Sequence, residues 1–268
     1  MPTVEIRDTT IHYEQAGSGP DLLFVHGMCG DARVWDVQIE LLRGHYACTT
    51  YDRRGHSRSP RGDAAESDAT HAADAATLIE ALDLDPVVVA SSGGARIAVE
   101  LLRRRPDLVR GAVLSEPPLF SLDPDAARGF LAEMIPLVEE ALDHHGPGAA
   151  VDAFFSFVCP GLWSRLDDTA RDRYRANAPA MLAEFEAPPN LITVGDLAGV
   201  RTPALVLSGA DSHPVLRGIA TVLARALPDS RWVEIRDCGH VTYAEQPEAF
   251  AAAVGAFAHD VLSPAAHI

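Results

Sequence analysis

Two serines and two glycines lie together in the segment PVVVASSGGARIAVE, between an apolar stretch and an amphipathic one. Residues 86–90 predict a short buried strand because they are apolar and rich in valine. Residues 95–102 predict a helix with its apolar residues on one side. Only residues 91–94 connect the two elements, and so tight a turn forces a strained backbone conformation beside small neighbours. A serine at such a strand-to-helix turn is a candidate nucleophile.

The size of the neighbouring residues distinguishes the two serines. In a G-x-S-x-G elbow, the residues two before and two after the nucleophile must be small because the turn brings them together. Ser92 has Ala90 and Gly94 at these positions, whereas Ser91 has Val89, which is too bulky. We therefore predict that Ser92 is the nucleophile.

A nucleophilic serine also needs an oxyanion site. The amide of Gly93 follows the serine at the start of a helix, where developing negative charge is favoured. The loop after the predicted strand DLLFVHG offers a second donor, for which we predict the Met28 amide. A glycine-rich turn for phosphate stays open as an alternative, although the segment lacks the Gly-Lys pair of a P-loop and G-x-G-x-x-G spacing.

Eleven histidines are candidates for the general base. His240 is favoured because it follows a predicted strand and precedes the last predicted helix, which suits the chain order Ser, acid, His. We expect His144 and His145 to be solvated, and His26 and His56 to make structural hydrogen bonds in loops after strands. No pair of histidines has the spacing of a zinc-binding helix, and no metal is predicted.

These residues are positioned by alternating strand and helix patterns, which indicate a parallel sheet with helices on both faces. The alternation stops after residue 117, gives way to helical patterns, and resumes near residue 202. We predict an α/β core of residues 1–117 and 201–268, a helical cap of residues 118–200, and a loose tail at residues 263–268. The predicted strands of the first half are a hairpin at 4–17 and segments at 21–27, 46–52, 86–90 and 109–116.

The composition excludes several classes of partner. The net charge of −16 argues against binding to nucleic acid or to anionic membranes. Four cysteines without metal-ligand spacing, no secretion signal and no apolar run of membrane-spanning length favour a cytoplasmic protein with reduced thiols. The chain has no lysine, which excludes a Schiff-base mechanism. The oligomeric state stays open, with a homodimer among the options.

Over essentially its full length, the chain resembles the α/β-hydrolases that carry a helical cap. The motifs that carry the resemblance are FVHGMCG, YDRRGHSRS, ASSGG, LVLSGAD and DCGHVTYAEQPEAF. The resemblance implies an eight-stranded, mostly parallel sheet with a helical cap inserted after strand six. It also implies a serine enzyme rather than a dehalogenase or epoxide hydrolase, because the elbow carries Ser92 and not an aspartate. No cofactor is implied.

The acid of the catalytic triad departs from the common pattern of that family. Many relatives place it three residues past the glycine of a G-x-x-D motif after strand seven, but here Gly209 is followed at that position by Ser212. Asp211 stands one residue early. Glu116, at the end of strand six, matches the zearalenone lactonases, which also have a Ser-Ser-Gly elbow. Glu116 could instead anchor the hinge of the cap. We favour Glu116 over Asp211 as the triad acid, and both stay open.

The resemblance implies acyl transfer to Ser92 and then to water, with His240 as the base and the acid holding its tautomer. The cap segment VDAFFSFVCPGLW is strongly aromatic. Most of its rings are expected to pack the cap, and Phe154, Phe155 and Trp163 are predicted to line an apolar pocket. A small hydrophobic ester or lactone is therefore the predicted substrate. A thioesterase or carbon–carbon bond hydrolase with the same triad, and a non-catalytic binding protein on this fold, are the alternatives.

Overall fold

The computed structural model of the chain describes residues 2–263, so most of the predicted tail lies outside the described residues. Within them the chain forms an eight-stranded sheet surrounded by helices. The strands are β1 (Thr3–Ile6), β2 (Thr9–Gly17), β3 (Asp21–Val25), β4 (Ala47–Tyr51), β5 (Val87–Ser91), β6 (Gly111–Ser115), β7 (Ala204–Gly209) and β8 (Ser230–Ile235). The α-helices are α1 (Asp36–Leu42), α2 (Asp68–Ala81), α3 (Gly93–Arg104), α4 (Pro124–His145), α5 (Pro147–Val158), α6 (Pro160–Trp163), α7 (Asp168–Ala176), α8 (Ala178–Glu186), α9 (Val194–Leu197), α10 (Pro214–Ala226), α11 (Thr242–Glu245) and α12 (Pro247–Leu262).

The sheet is mostly parallel, as predicted. Its strand order is β1-β2-β4-β3-β5-β6-β7-β8, and only the β1–β2 and β2–β4 pairs are antiparallel. The five pairs from β4 to β8 are parallel. The carboxyl ends of these strands therefore meet at one edge of the sheet, which is where ligand sites of parallel α/β sheets form.

Both faces of the parallel strands are buried, and alternate residues of one strand serve different faces. In β3, Leu23 and Val25 pack with helices α2, α3 and α10. Leu22 and Phe24 of the same strand pack on the other face with α1 and α12. The near-continuous apolar sequence of the central strands follows from this double burial.

Six helices, α4–α9, lie between β6 and β7, and no strand interrupts them in this described stretch. Many of their apolar residues belong to one cluster, which includes Phe130, Met134, Trp163 and Met181 and also Cys29 and Leu216 from outside the segment. The helical segment thus lies where the cap was predicted, and its treatment as a separate domain stays a prediction. Among residues 2–263, no helix combines the length and apolar character that crossing a bilayer requires.

One buried amide fixes this helical segment to the sheet. The helical pattern at residues 167–186 forms two helices, α7 and α8, divided at Asn177. The Asn177 Nδ2 donates to the carbonyl oxygens of Cys29 and Gly30 at 2.9 and 3.0 Å, and its Oδ1 accepts from the Ser57 amide at 2.8 Å. These bonds hold the segment over the carboxyl ends of β3 and β4.

Candidate active site

The turn between β5 and α3 places Ser92 above the sheet. Ser92 has φ 54° and ψ −123°, a strained conformation for a residue with a side chain. The turn is tight enough that a Cβ on Gly94 would lie 2.4 Å from the Val25 carbonyl oxygen. Ala90 on the other side is fully buried. The structure thus gives a physical reason for small residues at both positions.

A chain of three side chains runs from Ser92 into the protein. The Ser92 Oγ lies 2.9 Å from His240 Nε2, and His240 Nδ1 lies 2.7 Å from Glu116 Oε2. An ionised carboxylate only accepts hydrogen bonds, so His240 carries its proton on Nδ1 and leaves Nε2 free to accept from the serine. The ring is therefore oriented to remove the serine proton.

Glu116 is fixed on both of its oxygens. Its Oε1 accepts from the Gly209 amide at 2.8 Å, and its Oε2 accepts from the Ser212 hydroxyl at 2.6 Å as well as from His240. The side chain is fully buried. Asp211 is exposed, and its backbone amide donates to the Cys238 carbonyl. The structure brings Glu116 against the imidazole, and Ser212 supports it from the loop after β7.

The backbone of Gly93 and the Met28 nitrogen lie close together beside the serine. A Cβ placed on Gly93 would lie only 3.4 Å from the Met28 nitrogen, so the two amides border the same small space. Gly93 begins α3, whose N-terminal amides have no partners within the helix. The two predicted oxyanion donors therefore lie next to each other, at the positive end of a helix.

Two cavities of different size meet at Ser92 and His240. The larger, of about 410 Å³, extends between the sheet and α4, α5 and α8. The smaller, of about 30 Å³, lies toward α6 and α7. Met28, Phe154 and Val158 border both cavities. Apolar side chains dominate the larger cavity, among them Phe120, Phe130, Met134, Val138, Val158 and Leu216.

The three aromatic residues predicted to line the pocket all face the small cavity. The Phe155 ring stacks on Trp163 at 4.8 Å between centroids and meets Tyr174 edge-on at 4.9 Å. Trp163 is only 6% exposed and belongs to the apolar cluster of the helical segment. Phe155 and Trp163 therefore pack the helices as well as line the small cavity, whereas Phe154 borders both cavities.

A buried charge cluster, consisting of Arg53, His56, Glu66, His71 and Glu184, lies below the helical segment. The Arg53 Nη2 donates to Glu184 Oε1 at 2.7 Å and lies 3.2 Å from His56 Nε2. His71 Nε2 lies 3.1 Å from Glu66 Oε2. Sequence reasoning missed this cluster. The signal available was the arginine pair of YDRRGHSRS, but the partner of Arg53 lies 131 residues away.

Burial controls the ionisation of this cluster. Burial and the positive charge of Arg53 hold the pKa values of His56 and His71 well below the usual range of histidine. Burial raises the pKa of Glu66 to about 7. Both histidines are therefore neutral at neutral pH, and neither contacts Ser92.

The other histidines lie where the sequence suggested. His26 is buried, its Nδ1 donates to the Gly27 carbonyl at 2.8 Å, and its Nε2 accepts from the Arg53 amide at 3.0 Å. His56 Nδ1 donates to the Arg54 carbonyl at 2.9 Å. His144 and His145 are exposed at the end of α4. Among the described residues, no group of three or more potential ligands is arranged to hold a metal ion.

Comparisons with known proteins agree with this architecture. The sequence model of the alpha/beta hydrolase family matches residues 22–253. The chain is 28% identical over 261 residues to a protein of Azorhizobium caulinodans assigned as the carbamate hydrolase RutD, covering 93% of this chain and 95% of that one.

Two solved structures share the fold at lower identity. A thermophilic esterase from Thermogutta terrifontis has a TM-score of 0.80 and 24% identity, covering 97% of this chain and 99% of its own. The enol-lactonase from Burkholderia xenovorans has a TM-score of 0.78 and 22% identity, covering 96% and 99%. At these identities the structural likeness concerns the fold.

Proposed function

Since the chain belongs to the alpha/beta hydrolase family and is an enzyme, we propose that it cleaves a small hydrophobic carboxylic ester or lactone through an acyl-enzyme at Ser92. The observation that carries the proposal is the hydrogen-bonded chain from Ser92 through His240 to Glu116, which opens into an apolar cavity. The esterase and enol-lactonase with the same fold are consistent with this substrate class.

In the first half of the proposed reaction, His240 Nε2 removes the Ser92 proton as the serine oxygen attacks the carbonyl carbon of the substrate. The amides of Met28 and Gly93 stabilise the negative charge that develops on the carbonyl oxygen. Glu116 stabilises the imidazolium through Nδ1. His240 then returns the proton to the leaving oxygen, the carbon–oxygen bond breaks, and the acyl group stays on the serine.

In the second half, water replaces the alcohol. His240 Nε2 takes a proton from the water as its oxygen attacks the acyl carbon, and the same oxyanion donors act again. The proton passes to the Ser92 oxygen as the carboxylic acid leaves. With a lactone, the alcohol and the acid belong to one molecule, so the product is a single hydroxy acid.

The cavities support an apolar substrate with one large and one small part. The larger cavity has the volume of a small-molecule site and an apolar lining. The smaller one suits at most a short group. A glutamate after β6, together with the Ser-Ser-Gly elbow, continues the resemblance to zearalenone lactonases and supports a lactone within this class.

The nucleophile is tested by labelling with a fluorophosphonate, followed by peptide mass spectrometry. We expect the adduct on Ser92, and loss of p-nitrophenyl ester hydrolysis in Ser92→Ala. Ser91→Ala is the matched control, because it removes the neighbouring hydroxyl and leaves the chain of hydrogen bonds intact. An adduct on Ser91, or an active protein without any adduct, would contradict the proposal.

The leaving group is tested with a panel of lactones, esters, thioesters and vinylogous diketones. Preferred turnover of a thioester or of a diketone would favour the thioesterase or the carbon–carbon bond hydrolase that the same triad can serve. No turnover together with ligand binding would favour a binding protein. The cytoplasmic location and the lack of nucleic-acid partners stay predictions, and the homodimer remains an option.

A further inference from the structure

Glu184 places a buried carboxylate oxygen in the wall of the larger cavity. Its side chain, on α8, is 2% exposed. Its Oε1 accepts from Arg53 at 2.7 Å, whereas its Oε2 has no hydrogen-bond partner. Glu184 lines the larger cavity together with Ser92, Gly93 and Arg96. A buried acceptor without a donor is costly, so this oxygen is a ready position for a hydrogen-bond donor of a ligand.

The charges around this oxygen are already balanced. Arg53 pairs with Glu184, and Arg96 Nη2 lies 3.1 Å from Asp68 Oδ1 and 3.6 Å from Glu184 Oε2. Arg53 and Arg96 thus face Glu184 and Asp68, and Glu66, whose pKa burial raises to about 7, lies in the same cluster. An additional charge on the ligand would be buried without a counterion, which is unfavourable. A neutral donor, such as a hydroxyl or an amide N–H, satisfies the oxygen without this penalty.

The position of the oxygen relative to the oxyanion donors defines which part of a substrate it can reach. A Cβ on Gly93 would lie 3.4 Å from the Met28 nitrogen and 3.9 Å from Glu184 Oε2. The free oxygen and the Met28 nitrogen therefore lie at most about 7 Å apart, on the same side of Gly93. Only a group close to the carbonyl carbon reaches both.

We propose that Glu184 is a specificity-determining residue that accepts a hydrogen bond from a hydroxyl or amide N–H next to the scissile carbonyl. The inference rests on the proposed function and makes it narrower: the substrate is an ester or lactone whose apolar acyl part carries a neutral donor on the carbon beside the carbonyl. The remaining apolar part of the acyl group occupies the larger cavity.

The test compares three ethyl esters that differ at one carbon: ethyl hexanoate, ethyl 2-hydroxyhexanoate and ethyl 2-methoxyhexanoate. The methoxy compound keeps the oxygen and loses the donor. We expect wild-type kcat/KM to be about tenfold to a hundredfold higher for the hydroxy ester than for the methoxy ester. Equal values for the two would overturn the proposal without any variant.

The variant Glu184→Gln replaces the free acceptor oxygen in the cavity wall with a hydrogen-bond donor. Arg53 only donates, so the amide oxygen stays on Arg53 and the amide NH₂ faces the cavity. We expect the ratio of kcat/KM values to shift toward the methoxy ester, because its ether oxygen only accepts hydrogen bonds. Glu186→Gln is the matched control, because this exposed glutamate lies on the same helix, is not part of the lining of either cavity and loses the same charge. The control should keep the wild-type ratio, and a similar shift in both variants would contradict the assignment.

Binding to Ser92→Ala separates this proposal from the failure of the proposed function. We expect 2-hydroxyhexanamide to bind about tenfold more tightly than 2-methoxyhexanamide in calorimetry, even if no ester is turned over. Tighter binding of the hydroxy compound without turnover would overturn only the proposed reaction. Turnover of the esters with equal binding of the two amides would overturn only the role of Glu184.

Discussion

Glu116 and Glu184 are two buried glutamates near the serine, one from the end of a sheet strand and one from the inserted helices. Each oxygen of Glu116 has a donor: the Gly209 amide on one, Ser212 and His240 on the other. Glu184 has a donor on one oxygen only. Both oxygens of Glu116 therefore have donors, whereas Glu184 keeps one acceptor free. We call the surroundings of Glu116 the closed region and the surroundings of Glu184 the open region.

The number of donors on each carboxylate limits what it can do. A fully bonded carboxylate has one orientation, which suits a group that must hold an imidazole in a single tautomer. A half-bonded carboxylate keeps an acceptor for a ligand, and its cost of burial falls when a donor arrives. The buried charge cluster around Arg53 extends this open region, because Glu66 and His71 also have side-chain atoms without hydrogen-bond partners.

Replacement of Glu116, in the closed region, should lower kcat more than any other change considered. Glu116→Gln keeps the shape of the side chain but favours the wrong tautomer of His240, so kcat should fall by about 10⁴. Circular dichroism should show a folded protein. Asp211→Asn, in the exposed residue beside Ser212, is the control and should keep most of the activity. Loss of activity in Asp211→Asn with an active Glu116→Gln would move the acid to the loop after β7.

The next effect concerns the open region and is measured as stability. Glu184→Leu leaves Arg53 buried without its anion, and we expect the free energy of unfolding in urea to fall by about 3–5 kcal/mol. Arg53→Met combined with Glu184→Leu should recover much of this loss, because no charge then stays unpaired. Glu139→Leu, on an exposed position, should change stability by only about 0.5 kcal/mol. An equal loss in the single and double variants would show that packing, not charge, dominates.

The features that could be predicted from the sequence lie within short stretches of the chain. The elbow is local: Ala90, Ser92 and Gly94 lie within five residues, and steric limits on one turn identify the nucleophile. The alternation of strands and helices is equally local, and it predicted the parallel sheet and the helical insertion. The position of Glu116 at a strand end could be read in the same way.

The hydrogen-bond partners in the open region could not be predicted from the sequence, because they come together only in the folded chain. Glu184 is one acidic residue among many in a helical pattern, and nothing in its neighbourhood signals burial against an arginine 131 residues earlier. Asn177 is similar, since its side-chain hydrogen bonds go to Cys29, Gly30 and Ser57, all more than a hundred positions away. Such long-range polar pairs follow from packing and not from local pattern.

A smaller effect is the pH dependence that Glu66 gives to stability. Its pKa is raised from 4.5 to about 7 by burial, so the native state binds a proton that the unfolded state has lost. This contribution to stability is complete below about pH 4.5 and is lost as the pH rises through 7.

Glu66→Gln removes that contribution. The unfolding free energy of the variant minus that of the wild type should therefore increase between about pH 5 and 8. The lowered pKa values of His56 and His71 act in the opposite direction, because stability then rises as the pH rises toward 6.5. Glu139→Gln should give a difference that does not change over this range. A flat difference for Glu66→Gln would show that Glu66 is ionised throughout.

The last prediction concerns Phe154 and has the smallest magnitude, a change in preference for the alcohol part of the ester. Phe154 borders both, so Phe154→Leu should join them near Ser92. We expect kcat/KM for esters of a bulky alcohol, relative to ethyl esters, to rise by about threefold to tenfold, because a smaller isobutyl group replaces a benzyl group in a hydrophobic site. Phe157→Leu is the matched control on the same helix: its ring packs on Phe130 at 5.1 Å, away from the surfaces of both cavities. Trp163 would be a poorer probe, since it also packs the helices and its replacement should lower stability. If both phenylalanine variants shifted the preference equally, loosening of α5 would explain the change, and Phe154 would not be the partition.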